Sequence, residues 1–314
     1  CHGFDPTENT SGFILWINSN GIMIDPPVNS TEWLRNSNVN PKLIDSILLT
    51  HCHADHDAGT FQKILEEGKV TIYTTNTVMN SFIRKYAAIS GESEEYLKTL
   101  FDFHPIYLEK PFFIHGAKFT ANYALHSIPC VSFQVLYQNK KMVYSSDHLN
   151  EPETYDKMVS DNILSDKRRQ QLLNFPWDSD IIYHEAGVPP LHTRVAFLNS
   201  LPEEIKKKIV VYHISKKDFP QDTALTLATF GIENTITLDA AAFKFEKTYQ
   251  IIGLLKHMDF FKHFPLEKVQ DFLILTKEEH FKKNELIIKK GDTGDKFYII
   301  LKGNAALLDE NHKP

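Results

Sequence analysis

A segment of ten residues, Leu48 to Asp57, constrains the fold of this chain more than any other part of its sequence. It reads Leu-Leu-Thr-His-Cys-His-Ala-Asp-His-Asp, so three histidines and two aspartates fall within seven positions, directly after a run of apolar residues. Imidazole and carboxylate groups are ligands of divalent metal ions. The spacing of His51 and His53 places both rings on one side of an extended segment, and a turn after His53 would bring Asp55 and His56 to a second point. The segment therefore predicts a loop at the end of a buried strand, with ligands for two metal positions.

Three further candidate ligands each follow a predicted strand elsewhere in the chain. His126 follows residues 123–125, Asp147 follows residues 142–146, and His213 follows residues 209–212. Loops held by a rigid sheet are common places for functional side chains, so these residues can complete the site. The predicted arrangement has one metal ion held by His51, His53 and His126, a second held by Asp55, His56 and His213, and Asp147 bridging the two.

The remaining patterns predict an α/β fold. Residues 11–25 read as a hairpin of two apolar strands, and strand and helix patterns then alternate as far as residue 90, with a helix over 58–67. Short strands follow between 101 and 145, among them one at 106–108. Further strands are predicted at 180–184 and 208–213, and residues 235–238 are the candidate for the last one. This order is typical of layered sheets and helices.

Composition and charge exclude several classes of protein. The net charge of −6 leaves no basic footprint for nucleic acid, and no apolar run approaches the roughly 20 residues that span a bilayer. Three cysteines, an odd number without a disulfide spacing, favour a reducing compartment, so we expect a cytoplasmic protein. The chain begins with Cys1 rather than methionine, from which we expect a piece of a longer protein.

The order His-x-His-x-Asp-His, followed by His126, Asp147 and His213, resembles that of the dinuclear hydrolases with the metallo-β-lactamase fold. The resemblance covers roughly residues 10–240 and implies an αββα sandwich of two sheets between helices, which we assign to residues 1–250. It also implies two divalent ions, zinc in the first place with manganese or iron as alternatives, and it allows a homodimer. Two such ions lower the pKa of a shared water, which then attacks phosphorus or a carbonyl carbon, and Asp55 can accept its proton.

Asp25, at the end of the early hairpin, fits the first motif of the same family. Considered by itself, Asp25 has two interpretations. It either caps the turn that follows the strand, or it orients the histidine loop as a carboxylate behind the metal ligands.

A proton donor for the leaving group is predicted in residues 183–187, Tyr-His-Glu-Ala-Gly. His184 ends a strand, and Glu185 could orient its ring. The His-Glu-Ala sequence is similar to the proton-shuttle motif of the phosphodiesterase branch of this superfamily, which includes the transfer-RNA 3′-processing nucleases. His192, a few residues further on, is a candidate to bind substrate phosphate, although a plain loop histidine explains it equally well.

Residues 257–308 resemble the beginning of a cyclic-nucleotide-binding domain. The resemblance rests on Phe260 and Phe261, on Asn-Glu-Leu-Ile-Ile at 284–288, on the Gly-Asp turns at 290–295 and on the strand pattern of 297–303, which ends in Lys-Gly. It implies a helix over 266–275 and barrel strands at 285–288, 296–301 and 305–308. The phosphate-binding cassette of such domains lies further along than Pro314. Residues 256–314 are therefore expected to be the truncated N-terminal part of a β-barrel domain that does not bind cyclic nucleotide by itself.

A hydrolase of this fold joined to a cyclic-nucleotide sensor resembles the cyclic-GMP-stimulated phosphodiesterases. We therefore predict hydrolysis of a small-molecule substrate, the 3′,5′-cyclic phosphate of cGMP, cAMP or both, under control by cyclic nucleotide. Two alternatives stay open. One is another hydrolase of this fold, such as an RNase Z-like nuclease or a thioesterase, under control by cyclic nucleotide, and the other is a signalling scaffold whose catalytic domain is inactive. Only 20 residues separate His126 from Asp147, too few for the transfer-RNA arm of the processing nucleases, so no nucleic-acid partner is expected.

Overall fold

The computed structural model describes residues 10–18, 20–67, 70–240, 274–301 and 303–308, with isolated positions between 248 and 272. The chain divides into two compact units, Cys1–Ala242 and Phe243–Pro314. The assignment of these units to the two predicted domains, residues 1–250 and 256–314, remains a prediction. Within the described ranges, no helix combines the length and the apolar character that a membrane span requires.

All strands that form in the described residues belong to the first unit. They are β1 (Phe13–Ile17), β2 (Asn20–Ile24), β3 (Ile44–Leu48), β4 (Thr71–Thr74), β5 (Asp102–Pro105), β6 (Pro111–Ile114), β7 (Ala117–Ala124), β8 (Cys130–Tyr137), β9 (Lys140–Tyr144), β10 (Ile181–Glu185), β11 (Ile209–Tyr212) and β12 (Thr226–Leu227). The α-helices of the first unit are α1 (Ser30–Asn36), α2 (Ala54–Glu67), α3 (Asn76–Ser90), α4 (Glu94–Leu97), α5 (Pro152–Ser160), α6 (Asp166–Leu173), α7 (Val195–Ser200) and α8 (Glu203–Lys206). Local sequence sets several of these ends: Thr75 caps α3 by accepting a hydrogen bond from the Val78 N–H, and Gly91 ends that helix at a left-handed φ of 76°.

The strands form two mixed sheets. The first has the order β1-β2-β3-β4-β5, and the second has the order β12-β11-β10-β9-β8-β7-β6. In the first sheet only β1 and β2 pair antiparallel, and β2 to β5 are parallel. In the second sheet, β6 to β9 pair antiparallel and β9 to β12 pair parallel. Strands β7, β9, β10 and β11 therefore run in one direction, and their carboxyl ends meet at one edge.

Alternating side chains place each sheet between two apolar layers. In β2, Ile22 and Ile24 pack into the core between the sheets, while Met23 faces the core under α1 to α4. In β11, Val210 packs between the sheets and Val211 packs against the helices of the opposite side. The result is a four-layer αββα arrangement, which explains why the strands are apolar on both faces.

Three predicted elements differ from those observed. Helix α2 begins at Ala54, not at residue 58, and its first turn forms because the His53 carbonyl accepts hydrogen bonds from the N–H groups of His56 and Asp57. The strand expected at 106–108 lies earlier, at β5, because β4 pairs with residues 102–105. Residues 235–238 are irregular, and β12, which pairs with β11, is the last strand in the described part of the chain.

The second unit lacks the predicted barrel strands in its described residues. Segments 285–288, 296–301 and 305–308 form no strand pairs, and Leu286, Ile288 and Leu307 are 65%, 60% and 96% exposed. A strand without a paired neighbour and a buried face is not stable. The predicted helix over 266–275 lies largely outside the described residues.

Candidate metal centre

The candidate ligands meet at the carboxyl ends of β2, β3, β7, β9 and β11. Sharp turns directly after three of these strands help to point the side chains toward one place: Asp25, Ser146 and His213 have φ angles of 44°, 52° and 58°. A left-handed conformation is costly for residues with a Cβ atom, and such positions are found at functional sites where the surrounding structure holds them.

One group at this edge consists of His51, His53, His126 and Asp147, with a ligand atom from each lying within 4.8 Å of the others. The Oδ2 atom of Asp147 is 3.6 Å from His51 Nε2 and 3.5 Å from His126 Nε2. His126 Nε2 is 3.0 Å from His53 Nδ1. The three ligands predicted for the first ion, His51, His53 and His126, therefore lie close together.

A second group consists of Asp55, His56 and His213, again with ligand atoms within 4.8 Å of one another. Asp55 Oδ2 lies 3.3 Å from His213 Nε2 and 3.7 Å from His56 Nε2. The other carboxylate oxygen of Asp147, Oδ1, is 3.3 Å from His56 Nε2 and 3.7 Å from His213 Nε2. Asp147 thus presents one oxygen to each group, which is the geometry of a bridging carboxylate.

Several polar atoms of the two groups are buried without a hydrogen-bond partner in the described part of the chain. They are His51 Nε2, His56 Nε2, His126 Nδ1 and Asp147 Oδ1. An unpartnered buried polar atom costs about 1–3 kcal/mol, so a cluster of them at one place needs another occupant. Imidazole nitrogens and carboxylate oxygens fit divalent metal ions, so the residues of this site are suited to hold such ions.

The protonation of the first group suits metal binding. Burial lowers the pKa of His53 to about 4 and that of His126 to about 3, and it also lowers the pKa of His51. These rings are neutral at physiological pH, which is the form that coordinates metal. His56 differs: burial opposes its protonation, but the charges of Asp147 and Asp25 on either side raise its pKa.

Asp25 lies directly behind the histidine loop. Its Oδ1 accepts a hydrogen bond from the Thr50 N–H at 2.8 Å, and its Oδ2 accepts one from the Thr50 hydroxyl at 2.6 Å and another from the Tyr144 hydroxyl at 3.0 Å. The same Oδ2 is 3.4 Å from His56 Nδ1. Asp25 therefore secures the start of the loop and also faces the ring of a candidate ligand. None of these contacts goes to the turn that follows β2, so they favour the second interpretation of Asp25.

The loop is held from its other side by α3. Lys85 Nζ donates to both oxygens of Asp57, at 2.6 Å and 2.7 Å, and to the carbonyl of Cys52 at 3.1 Å. The Tyr86 hydroxyl also donates to Asp57. The Cys52 thiol points to the Val78 carbonyl, away from the ligands as alternation predicts, and burial raises its pKa to about 12.

The structure does not bring His184 to the cluster. Its side chain is fully buried, its ring stacks on Trp177 with centroids 5.6 Å apart, and its two nitrogens lie 3.0 Å from Asn150 Nδ2 and 2.7 Å from the Glu185 carbonyl oxygen. The physical reason is strand alternation: His184 follows Ile182 onto the helix-covered face of β10, whereas Glu185 points to the other face. The pairing of His184 with the Glu185 carboxylate, predicted above, is therefore not formed.

Glu185 instead holds His192. Its Oε2 accepts hydrogen bonds from His192 Nδ1 at 3.0 Å and from the Gly187 N–H at 2.7 Å, and its Oε1 accepts from the Thr193 N–H at 2.9 Å. The His192 ring stacks on His213 with centroids 4.9 Å apart. One ring nitrogen of His192 lies within 4.8 Å of ligand atoms of Asp147 and His213. Of His184 and His192, the two histidines considered as proton donor or phosphate ligand, only His192 lies beside the candidate metal ligands.

Gly187 is a residue of this site that the sequence interpretation missed. A Cβ atom at this position would lie 2.7 Å from both the His192 ring and His213 Nδ1, so no other residue fits there without displacing the stacked rings. Its position after His-Glu-Ala was the available signal, but a glycine after a strand is also common in ordinary turns.

We expect Gly187→Ala to lower the kcat for the predicted hydrolysis of cyclic nucleotides by about 100-fold or more. The added methyl group would displace the His192 and His213 rings, and a displacement of about 1 Å at a reacting group has effects of this size. The folded protein should survive, since the change is at the surface of the sheet edge. Circular dichroism and a kcat measurement check this, with Gly294→Ala as the control at a glycine whose Cβ would lie in open space and whose φ is outside the left-handed region. Full activity of Gly187→Ala would show that the His192–His213 stack is not needed.

Comparisons with known proteins agree with this fold. The model of the family described as Anti-Pycsar protein Apyc1 matches residues 2–234. From Dictyostelium discoideum, cGMP-dependent 3′,5′-cGMP phosphodiesterase A is 40% identical over 302 residues, which is 96% of this chain and 35% of that protein. From the same organism, cAMP/cGMP-dependent 3′,5′-cAMP/cGMP phosphodiesterase B is 39% identical over 317 residues, which is 100% of this chain and 29% of that protein.

The chain thus spans about a third of the length of these relatives. Among solved structures, a diphosphatase from the PhnP family aligns with a TM-score of 0.52 at 18% identity, over 73% of this chain and 86% of that chain. A likeness at this identity shows the fold alone. Together with the two mixed sheets between helices, it confirms the predicted α/β metallo-β-lactamase fold, but not the cyclic-nucleotide-binding barrel.

Proposed function

The chain belongs to the family of the Anti-Pycsar protein Apyc1, and on this premise we propose that it is a metal-dependent phosphodiesterase that hydrolyses 3′,5′-cyclic nucleotides, namely cGMP, cAMP or both. The observation that carries the proposal is the bridged arrangement, in which the two oxygens of Asp147 face two groups of ligands. The choice of substrate is supported by the two phosphodiesterases that match this chain over nearly its whole length.

The residues at the sheet edge fit two divalent ions, zinc in the first place with manganese or iron as alternatives. His51, His53 and His126 would hold one ion, Asp55, His56 and His213 the other, and Asp147 both. When bound, the ions would supply a water of lowered pKa and positive charge opposite the charge that develops on the phosphate.

Asp55 is the carboxylate best placed to accept a proton from an attacking water. Its side chain is 20% exposed, whereas that of Asp147 is 2% exposed, so solvent and substrate reach Asp55. Burial opposes its ionisation, but the neighbouring His213 and His56 hold the pKa of Asp55 below its usual range, so the group is ionised when substrate arrives.

His192 is the residue best placed to give a proton to the leaving alkoxide. Glu185 accepts the hydrogen bond from Nδ1, which leaves Nε2 as the nitrogen that can donate. Burial disfavours protonation, but the hydrogen bond and the charge of Glu185 outweigh it and raise the pKa of His192, so the acid form is favoured. In this proposal His192 takes the role that the sequence interpretation gave to His184, and Glu185 keeps the role of orienting the donor.

The regulatory part of the prediction is also a proposal. Residues 256–314 would begin a cyclic-nucleotide-binding domain, and the names of the two relatives, cGMP-dependent and cAMP/cGMP-dependent, support control by cyclic nucleotide. The homodimer and the cytoplasmic location stay predictions.

The proposal is tested by incubating the purified chain with cGMP and with cAMP in the presence of zinc or manganese and quantifying the 5′- and 3′-monophosphates. We expect turnover of at least one nucleotide, a loss of about 100-fold or more after chelation with EDTA, and recovery when metal is added back. Turnover of bis(p-nitrophenyl) phosphate but of neither nucleotide, with metal bound, would identify another hydrolase of this fold. Negligible metal in protein purified without chelator would favour the scaffold.

A further inference from the structure

The segment that carries His192 lacks regular secondary structure of its own. Residues 186–194, between β10 and α7, are irregular, so side-chain contacts must fix the position of the ring. Reacting groups need placement to within about 0.5 Å. The contacts that supply this placement come mainly from a second loop, residues 148–151, which follows Asp147 directly.

Thr193 joins the two loops at the residue next to the proposed donor. Its hydroxyl donates to the His148 carbonyl and accepts from the Asn150 N–H at 2.8 Å. Its own N–H donates to Glu185, the residue that also accepts from His192. Three partners therefore fix the backbone on the C-terminal side of His192.

The residue after Thr193, Arg194, forms an ion pair with Glu151, and this pair links the two loops. Glu151 Oε1 accepts from the Arg194 backbone N–H at 2.8 Å and from Nε at 2.9 Å, and Oε2 accepts from Nε at 2.9 Å and from Nη2. One carboxylate thus holds the main chain and the guanidinium of the same residue. The Glu151 side chain is 4% exposed and that of Arg194 is 56% exposed.

The unequal burial of the two partners decides how much the pair matters. Exposed ion pairs contribute little, but loss of one partner from a buried carboxylate leaves an uncompensated charge that forces the surrounding chain to rearrange. Here the chain that would rearrange is the His192 loop. Neither Glu151 nor Arg194 is one of the candidate metal ligands.

We propose that Glu151 and Arg194 are positioning residues that hold His192 in place for proton donation to the leaving group. The proposal rests on the proposed phosphodiesterase function. It assigns the pair to one step only: the protonation of a poor leaving group. Hydrolysis of a diester whose leaving group needs no proton should be nearly insensitive to the pair.

The test compares Arg194→Ala, Arg194→Lys and Glu151→Gln with the wild-type chain on two substrates. Cyclic GMP has an alkoxide leaving group, whereas bis(p-nitrophenyl) phosphate releases a stable phenolate. We expect Arg194→Ala and Glu151→Gln to lower kcat on cGMP by about 10- to 100-fold, with a change of less than about 3-fold on the aryl diester. Arg194→Lys, which keeps the charge but not the planar fork, should recover part of the loss.

The matched control is Arg169→Ala, which removes an arginine from an ion pair with Asp156 between the neighbouring helices α5 and α6. It should leave kcat on both substrates unchanged. Metal content and melting temperature are measured for every variant, so that loss of fold or of metal is recognised.

The double variant Arg194→Ala/His192→Ala decides whether the ion pair acts through His192. If the pair acts through His192, Arg194→Ala should have no further effect on cGMP hydrolysis in the His192→Ala background. Equal losses on both substrates, or a full additional loss in that background, would overturn the proposal. A wild-type chain that hydrolyses aryl diesters but not cyclic nucleotides would refute the proposed function instead. The positioning role is then decided by comparing phenyl with p-nitrophenyl diesters, since phenol is the poorer leaving group.

Discussion

Replacement of Asp147 by asparagine is expected to remove bound metal from both groups of ligands and to lower kcat by at least about 10³-fold. The carboxylate has one oxygen directed to His51 and His126 and the other directed to His56 and His213. Asparagine has nearly the same shape but carries one oxygen and one NH₂ group. In either orientation it would present a donor to one group, and it would withdraw a negative charge from both.

The measurement is metal content per chain by elemental analysis, together with kcat on cGMP or cAMP. Asp161→Asn is the control, because Asp161 is an exposed aspartate after α5 and makes no contact with the site. His53→Ala is a useful comparison, since it should affect mainly one ion. An Asp147→Asn protein that keeps two metals and activity within about tenfold of wild type would contradict the bridging role.

The sequence was sufficient to name the candidate ligands that the structure brings together, because the histidine segment, His126, Asp147 and His213 each follow a strand. Apolar runs before Thr50, His126, Asp147 and His213 marked the strands, and parallel strands of one sheet bring their carboxyl ends together. The histidine segment follows β3 of the first sheet, however, whereas His126, Asp147 and His213 follow strands of the second, so the packing of the two sheets, which only the family resemblance implied, is also needed to form the cluster. The residues that complete the cluster could therefore be named before their distances were known.

The start of α2 could not be predicted in the same way. The segment after His53 has no apolar periodicity until Phe61, so the helix pattern is invisible in the residues that matter most. The first turn forms because the acidic side chains of Asp55 and Asp57 suit a helix N-terminus and because Gly59 lets the helix approach the turn at Pro26 and Pro27, where a Cβ atom would lie 2.1 Å from a carbonyl oxygen. Asp55 and His56 thus belong to a helix rather than to a flexible loop.

The face of β10 on which His184 lies could not be predicted from the sequence either. Strand β10 is buried on both faces, so its apolar residues give no alternation from which an inner and an outer side can be read. Only the packing of Ile182 against α7 and of Ile181 between the sheets determines that His184 points away from the ligands and Glu185 toward them. The contacts of His192 with Glu185, and of Arg194 with Glu151 across 43 positions, likewise depend on tertiary structure.

Substitution of His184 and His192 in turn tests which of them gives the proton to the leaving group. His192→Ala should lower kcat on cGMP by about 10²- to 10⁴-fold, the usual contribution of a general acid, while metal content stays the same. On bis(p-nitrophenyl) phosphate the loss should be less than about tenfold, because that leaving group needs no proton. His184→Gln should behave differently. It weakens the buried contacts with Asn150 and Trp177, so the melting temperature falls, but folded protein should keep kcat within about tenfold of wild type on both substrates.

The comparison is informative in both directions because the two histidines are only eight positions apart and both are linked to Glu185, His184 through the carbonyl and His192 through the carboxylate. A selective loss on cGMP in His184→Gln, with His192→Ala nearly active, would return the donor role to His184. That outcome would require the outer face of β10 to open during turnover, since the His184 side chain is fully buried in the present structure. A selective loss in His192→Ala alone would identify the stacked His192 as the group that protonates the leaving oxygen.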